Sequence, residues 1–235
     1  MTPRRAPPML RAMDLNDLDL HGAARLPALL YPAQCDAIVA LWDQPHAFRK
    51  EVVMARHGYG RGRYRYFTYP LPEPVAALRE ALYPPLAQVA NRWAAMLGSD
   101  ALYPARHADF LNQCALGGQD RATPLLLRYE AGDWNALHQD VYGATIFPLQ
   151  AAILLSEPEA DFTGGAFILT EQRPRMQSRP EMVPLRKGDA VVFPVRERPV
   201  MGTRGVHRVQ MRHGVSRLLS GMRHTLGIIF HDAQS

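Results

Sequence analysis

His138-Gln139-Asp140 sets an imidazole and a carboxylate two residues apart. On an extended backbone, positions i and i+2 project to the same side. A nitrogen and an oxygen donor so placed can take neighbouring corners of a metal ion, and a second histidine from a later strand would complete the two-histidine, one-carboxylate face of non-haem iron oxygenases. The triplet alone is weak: His107-Ala108-Asp109 has the same form and is read as ordinary polar packing. The downstream sequence separates the two. Lys187-Gly188-Asp189 turns into the apolar run Ala190-Val191-Val192-Phe193, and His213-Gly214-Val215 is followed, ten residues after the histidine, by Arg223 at the head of an apolar stretch ending at Phe230. His213 is the expected third ligand. His207, on the predicted strand 206–211 and sixteen residues before Arg223, is the alternative. A guanidinium that opens a buried strand needs an anion, and its planar fork suits a carboxylate.

Groups this far apart need a scaffold. Helical spacing is predicted over Pro32–Trp42 and again from Pro74 to Leu97, with Pro84-Pro85 as a candidate break and Gly98 as the stop. Between them, Tyr59–Tyr69 alternates basic and aromatic residues, which predicts a strand or hairpin with two unlike faces. Arg63 and Tyr64 of this segment are candidate substrate contacts, and residues 59–69 are a candidate lid. From Pro124 onward the texture changes to short β-rich runs: 125–130, 149–155, 165–170, 182–185, 189–194, 206–211 and 223–230. The expected fold is mainly β with flanking helices: a mostly helical layer over residues 1–120 and a β sandwich or small barrel over 121–235, together one domain.

With 47% apolar and 21% charged residues in 235, general disorder is excluded. Cys35 and Cys114 match no CxxC pattern, so neither a disulfide framework nor a thiolate metal site is expected, and a cytoplasmic setting is the simplest expectation. The proline-rich start, expected to be mobile, lacks the apolar stretch of about 7 to 15 residues of a signal peptide. No apolar run approaches the roughly 20 residues that span a bilayer, so no membrane partner is expected. The net charge of +5 is dispersed over isolated arginines, which permits polyanion binding without requiring it.

Arg128-Tyr129, Gly132 and Leu137-His138-Gln139-Asp140 are similar to a stretch of the AlkB-type nucleic-acid demethylases. Gly164-Gly165, Lys187-Gly188-Asp189 and the His213-to-Arg223 spacing resemble prolyl-4-hydroxylase-type members. With Gly164-Gly165-Ala166-Phe167, Arg204-Gly205 and the run Gly227 to Ala233 added, the chain from Pro124 onward resembles the Fe(II)/2-oxoglutarate-dependent dioxygenases. In particular it looks like a bacterial AlkB-like oxygenase family predicted to act on damaged DNA. The resemblance implies a double-stranded β-helix (jelly-roll) core with an N-terminal helical layer, Fe(II) held by His138, Asp140 and His213, and O2 as oxidant. It also implies 2-oxoglutarate held by Arg223, with Tyr129 and Thr225 assisting. His213 is favoured over His207 because the spacing then needs no insertion. Leu127 stands where AlkB-type enzymes place an asparagine, so one co-substrate hydrogen bond is absent or replaced.

Trp134 and Asn135, next to the iron motif, are further candidate substrate contacts, while His224 is expected to point away from Arg223 and His231-Asp232 to form a strand-end surface pair. Three functions follow. The first is oxidative demethylation of alkylated bases, with DNA or RNA as partner. The second is hydroxylation of a protein side chain or small metabolite. The third is a cupin-like metal-binding module with no use for 2-oxoglutarate. No obligate protein partner is expected.

Overall fold

The computed structural model describes residues 13–173, 175–203 and 205–234. The proline-rich start over residues 1–12, and Arg204 of the Arg204-Gly205 motif, lie outside the described residues. In chain order the elements begin with α1 (Asn16–His21), β1 (Ala24–Leu26), α2 (Pro32–Val39), β2 (Phe48–Val53), β3 (Gly60–Arg61), β4 (Arg63–Phe67), α3 (Glu73–Met96) and α4 (His107–Leu116). There follow β5 (Gln119–Arg121), β6 (Leu125–Glu130), β7 (Trp134–His138), β8 (Leu149–Leu154), β9 (Phe162–Gly164), β10 (Phe167–Gln172), β11 (Arg179–Val183) and β12 (Ala190–Pro194). The chain closes with β13 (Glu197–Gly202), β14 (Gly205–Val215), β15 (Leu218–Ile229) and β16 (Ala233–Gln234).

Two large antiparallel sheets result, and β5 and β16 pair as a separate two-stranded ribbon. The larger runs β1-β12-β8-β15-β6-β4-β2, with β9 added beside β15; the smaller runs β11-β10-β14-β7-β3, with β13 beside β14. This is the layout of a jelly-roll core, mainly β with helices on one outer face. The helices explain why β12 and the stretches 151–154 of β8 and 226–229 of β15 read as unbroken apolar runs. Ile153, Val192, Leu226 and Ile228 pack outward into one cluster with Leu78, Leu82, Leu86 and Trp93 of α3. Their neighbours Ala152, Val191 and Phe193 face inward onto Phe167, Leu169, Val209 and Met211 of the smaller sheet. A strand buried on both faces loses the alternation that marks a half-buried one.

Three expectations change here. First, α3 is continuous through Pro84-Pro85. Proline costs about 3 kcal/mol inside a helix, but Leu78, Leu82, Tyr83, Leu86 and Trp93 are all buried along this one, each contributing about 1.5–3 kcal/mol by burial. Packing wins. Second, the stretch before residue 120 is not only a helical layer, because β1, β2 and β4 extend the larger sheet and β3 joins the smaller one. Third, His231 and Asp232 are not a surface pair: both are buried. The segment after β15 runs under α3, where Asp232 accepts hydrogen bonds from Arg79 Nη2 at 2.7 Å and from Tyr69 Oη at 2.8 Å.

Both cysteines are free and buried. Among the described residues no helix is long and apolar enough to cross a membrane. His107 opens α4 with Nε2 donating to Phe230 O at 2.9 Å, and Asp109 pairs with Arg106, so the second HxD triplet is structural.

Candidate metal centre and its cavity

The strand register brings the two imidazoles together: His213 on β14 is the direct cross-strand partner of His138 at the end of β7, and their ring centroids lie 4.1 Å apart. Gly214 permits this approach, because a Cβ there would stand 2.7 Å from the Asn135 backbone oxygen. Asp140 follows two residues after β7. Its Oδ1 is 3.6 Å from His138 Nε2 and its Oδ2 is 3.3 Å from His213 Nε2. One ligand atom from each of the three residues lies within 4.8 Å of the others. Gln139, between the two motif residues, turns away and donates to Met211 O at 2.9 Å and Arg196 O at 3.0 Å, which pins the turn.

The protonation states suit a divalent metal. His138 Nδ1 is 2.7 Å from Ala136 O, an acceptor only, so the proton sits on Nδ1 and the Nε2 lone pair is free. Burial, with His138 alongside, pulls His213 below the usual imidazole range. Burial alone would raise the Asp140 carboxyl; the hydrogen bond and charge of His213, with His138 and the Tyr142 hydroxyl, outweigh it and hold the group well below the usual carboxylate range. Two imidazoles and one carboxylate are the donor set a metal takes up. Tyr142 Oη donates to Asp140 Oδ1 at 2.9 Å and receives Tyr66 Oη at 3.2 Å, leaving Oδ2 toward His213. His207 is not part of this group. It pairs with Val200 six residues back along β14, roughly 20 Å away at strand rise.

The triad opens onto a cavity of about 790 Å³ whose wall from the larger sheet includes Arg223, Thr225, Tyr129, Leu127, Tyr64 and Tyr66. His224 points the other way, with its ring edge-on to Trp42. Arg223 is 2% exposed, and among the described residues no carboxylate pairs with it. Its Nη1 donates to Thr225 Oγ1 at 2.5 Å, while Nε has no partner. Burial pulls its pKa down to about 10, so it remains a cation at neutrality. Gly165 leaves it room: a Cβ there would meet the Arg223 Cδ at 3.1 Å and Leu218 Cδ1 at 2.2 Å.

Of the four candidate substrate contacts, Asn135 and Tyr64 line the cavity, whereas Trp134 and Arg63 do not. Strand alternation is the reason: Trp134, adjacent to Asn135, is 40% exposed, and Arg63, adjacent to Tyr64, faces Glu51 at 4.0 Å. Asn135 Nδ2 donates to Tyr129 Oη at 3.3 Å, so an asparagine does reach this tyrosine, from β7, although Leu127 occupies the expected position. Residues 59–69 are not a free lid, because β3 pairs with β7 and β4 with both β6 and β2. They form cavity wall, with tyrosines inward and arginines outward. Sequence reading missed Tyr142, Tyr66 and Arg49. The i, i+2 rule used for His138 and Asp140 would have reached Tyr142.

A family model, Oxygenase-NA, described as an oxygenase catalysing oxidative methylation of damaged DNA, matches residues 62–233, which includes β4 and α3 as well as the β core. The uncharacterized protein Rv2227 of Mycobacterium tuberculosis (strain ATCC 25618 / H37Rv) is 49% identical over 167 residues, covering 71% of this chain and 72% of that protein. Among solved structures, an oxidoreductase of the 2OG-Fe(II) oxygenase family from Burkholderia pseudomallei superposes with a TM-score of 0.53 at 18% identity, covering 94% of this chain and 91% of that one. HygX from Streptomyces hygroscopicus, with nickel, 2-oxoglutarate and hygromycin B bound, gives 0.54 at 15% identity, covering 93% and 86%. The third expectation, a cupin-like binding module, is overturned: the family is one of oxygenases, and such a module leaves the buried Arg223 cation without a purpose.

Proposed function

Since the chain belongs to the Oxygenase-NA family, within the Fe(II)/2-oxoglutarate-dependent oxygenases, we propose that it hydroxylates a C–H bond in a small metabolite or an amino-acid side chain at the expense of 2-oxoglutarate. The observation that carries this reading is the buried, unpaired guanidinium of Arg223 in the same cavity as the three ligand atoms. Burying a cation without a partner is costly; an anionic co-substrate supplies the missing charge. HygX, which shares the fold, holds 2-oxoglutarate and an organic small molecule, and this supports the reading by analogy.

When bound, the metal with 2-oxoglutarate and O2 supplies the oxidising equivalents, one oxygen atom passing to the substrate and the other to succinate, with CO2 released. The chain's own part is placement. His138 Nε2, His213 Nε2 and Asp140 Oδ2 would hold the ion, and Tyr142 keeps the second carboxylate oxygen occupied. Arg223, braced by Thr225, would take the distal carboxylate of 2-oxoglutarate through its free edge. Tyr129, oriented by Asn135, would donate to the same ligand. Phe167, Phe193, Leu127 and Val215 give the cavity an apolar wall that excludes water.

The description of the family favours a second reading, oxidation of alkylated nucleic-acid bases. The two are separated by incubating the protein with Fe(II), 2-oxoglutarate and O2 against peptide pools, metabolite pools and methylated oligonucleotides. An added oxygen on a peptide or metabolite, matched by succinate, is expected. Formaldehyde from the oligonucleotides would move the assignment to the second reading. The oxygenase role itself fails if protein carrying Mn(II) does not bind 2-oxoglutarate in calorimetry, or if His213→Ala and Asp140→Ala do not weaken Mn(II) binding by at least about a hundredfold.

A further inference from the structure

Building on the oxygenase reading, we propose that the cavity contains a second anion subsite, formed by Arg49, Lys50 and Arg121, and that the substrate carries a phosphate ester which docks there. The charge balance is the starting point. Four cationic side chains line the cavity, these three and Arg223, against a single described carboxylate, Asp140, which belongs to the triad. With 2-oxoglutarate assigned to Arg223, the other three cations have no carboxylate of their own in the described cavity lining.

Their placement is built by the backbone. Lys50 pairs with Tyr66 across β2 and β4, and the register shifts between Phe48 and Lys50, leaving Arg49 in a bulge. Consecutive residues on a regular strand point to opposite faces; a bulge re-aims one of them. Arg49 and Lys50 thus both line the cavity. Arg49 spends Nε on Ala122 O at 2.9 Å and lies over the Tyr66 ring at 4.6 Å. This fixes the guanidinium while leaving its terminal nitrogens without a carboxylate partner among the described residues. Arg121, adjacent to that Ala122, arrives from β5. The nearby Asp232 is already held by Arg79 and Tyr69.

The location suits a substrate. Lys50, Tyr66, Leu125 and Gly227 form one row across the larger sheet. Arg223 stands four residues up β15 from that row, roughly 13 Å at strand rise. The triad connects to the same row through Asp140, Tyr142 and Tyr66. A ligand anchored by Arg49 would lay its uncharged part along Tyr66 and Tyr142 toward the triad and leave the Arg223 end free. The exposed, stacked rings of His57 and Tyr59 add a flat platform to the same cavity. Cations converging from two strands match a phosphate, whose oxygens accept from several directions, better than a planar carboxylate that a single fork satisfies.

The test is calorimetry on the full chain with saturating Mn(II) and 2-oxoglutarate, comparing thymidine monophosphate with thymidine. The phosphate should tighten binding at least about tenfold. Lys50→Gln with Arg121→Gln, both exposed and away from the fold's core, should remove most of that gain, and Arg49→Gln should do the same. Pentathymidylate binding no tighter than the monomer would identify a free phosphate ester, and tighter binding would identify a polymer; either supports the subsite. Equal affinity for thymidine and its phosphate, no binding of either, or a gain that persists in the double variant overturns it. Affinity for 2-oxoglutarate, measured first in the same samples, separates this result from a failure of the oxygenase reading.

Discussion

Arg223 is the residue whose environment departs most from ordinary protein chemistry: a buried cation with one hydroxyl partner and an unsatisfied Nε. Such a group is a burden to the fold and an asset to a ligand site, and the two effects can be measured in one variant. Arg223→Met keeps the volume and removes the charge. The unliganded protein should then unfold at the same or a higher urea concentration than the wild type. Affinity for 2-oxoglutarate should fall about 10- to 100-fold, the scale of a lost charge-assisted pair of hydrogen bonds, while Mn(II) affinity stays within about twofold. Unchanged 2-oxoglutarate saturation would remove Arg223 from the co-substrate site. The importance of Arg223 was legible in the sequence from its position at the head of an apolar strand. That of Tyr142 and Arg49 was not. Tyr142 acts through a hydrogen bond to a side chain two positions away, and Arg49 reaches the cavity only because of a bulge that the sequence does not announce.

At the scale of elements, the metal centre depends on how closely β7 and β14 approach. Their pairing skips between His213 and Val215, and Gly214 sits at the skip without room for a side chain. Gly214→Ala should drive a methyl group against the Asn135 backbone and separate the strands by a few tenths of an ångström or more. Mn(II) affinity is expected to drop at least about tenfold, because the imidazoles then no longer converge. Metal affinity unchanged from the wild type in Gly214→Ala would contradict this account of the β7–β14 contact. The predicted strands missed β7 itself. Its cavity-lining stretch Asn135–His138 mixes polar and apolar residues, and Leu137 is 46% exposed, so no apolar alternation marks this strand. Trp134, whose size and apolarity suggested a place in the cavity, lies outside its lining, and its neighbour Asn135 takes that place.

The molecule as a whole buries neutral histidines outside the metal centre. Burial, with Arg79 nearby for His107 and His231 and Arg128 nearby for His224, lowers each of the three from 6.5 to about 4. The unfolded chain therefore takes up protons that the folded one refuses between about pH 6.5 and pH 4. Stability is complete above that window and is lost as the pH falls through it, with a slope approaching ~1.4 kcal/mol per pH unit for each histidine. Urea unfolding at pH 7, 5.5 and 4.5 should show the decline, and His107→Gln should make it shallower; a flat profile would mean that these rings are not held neutral. None of these three environments was visible beforehand, since His231 and His224 become buried only when α3 and the Trp42 segment cover the outer face of the larger sheet.

The sequence alone determined the ligand types, their i, i+2 spacing, the Arg223 strand and the β character of the second half, because each rests on contacts or periodicities within a few residues. It favoured His213 over His207 only by the spacing to Arg223, and the two lie on the same strand and the same side of its alternation. The tertiary structure decided this, since strand register is a long-range property: pairing His213 opposite His138 puts one imidazole on the metal axis and leaves the other some six residues away. Likewise, proline content argued for a broken α3, and only the depth of the groove that receives the helix could override it.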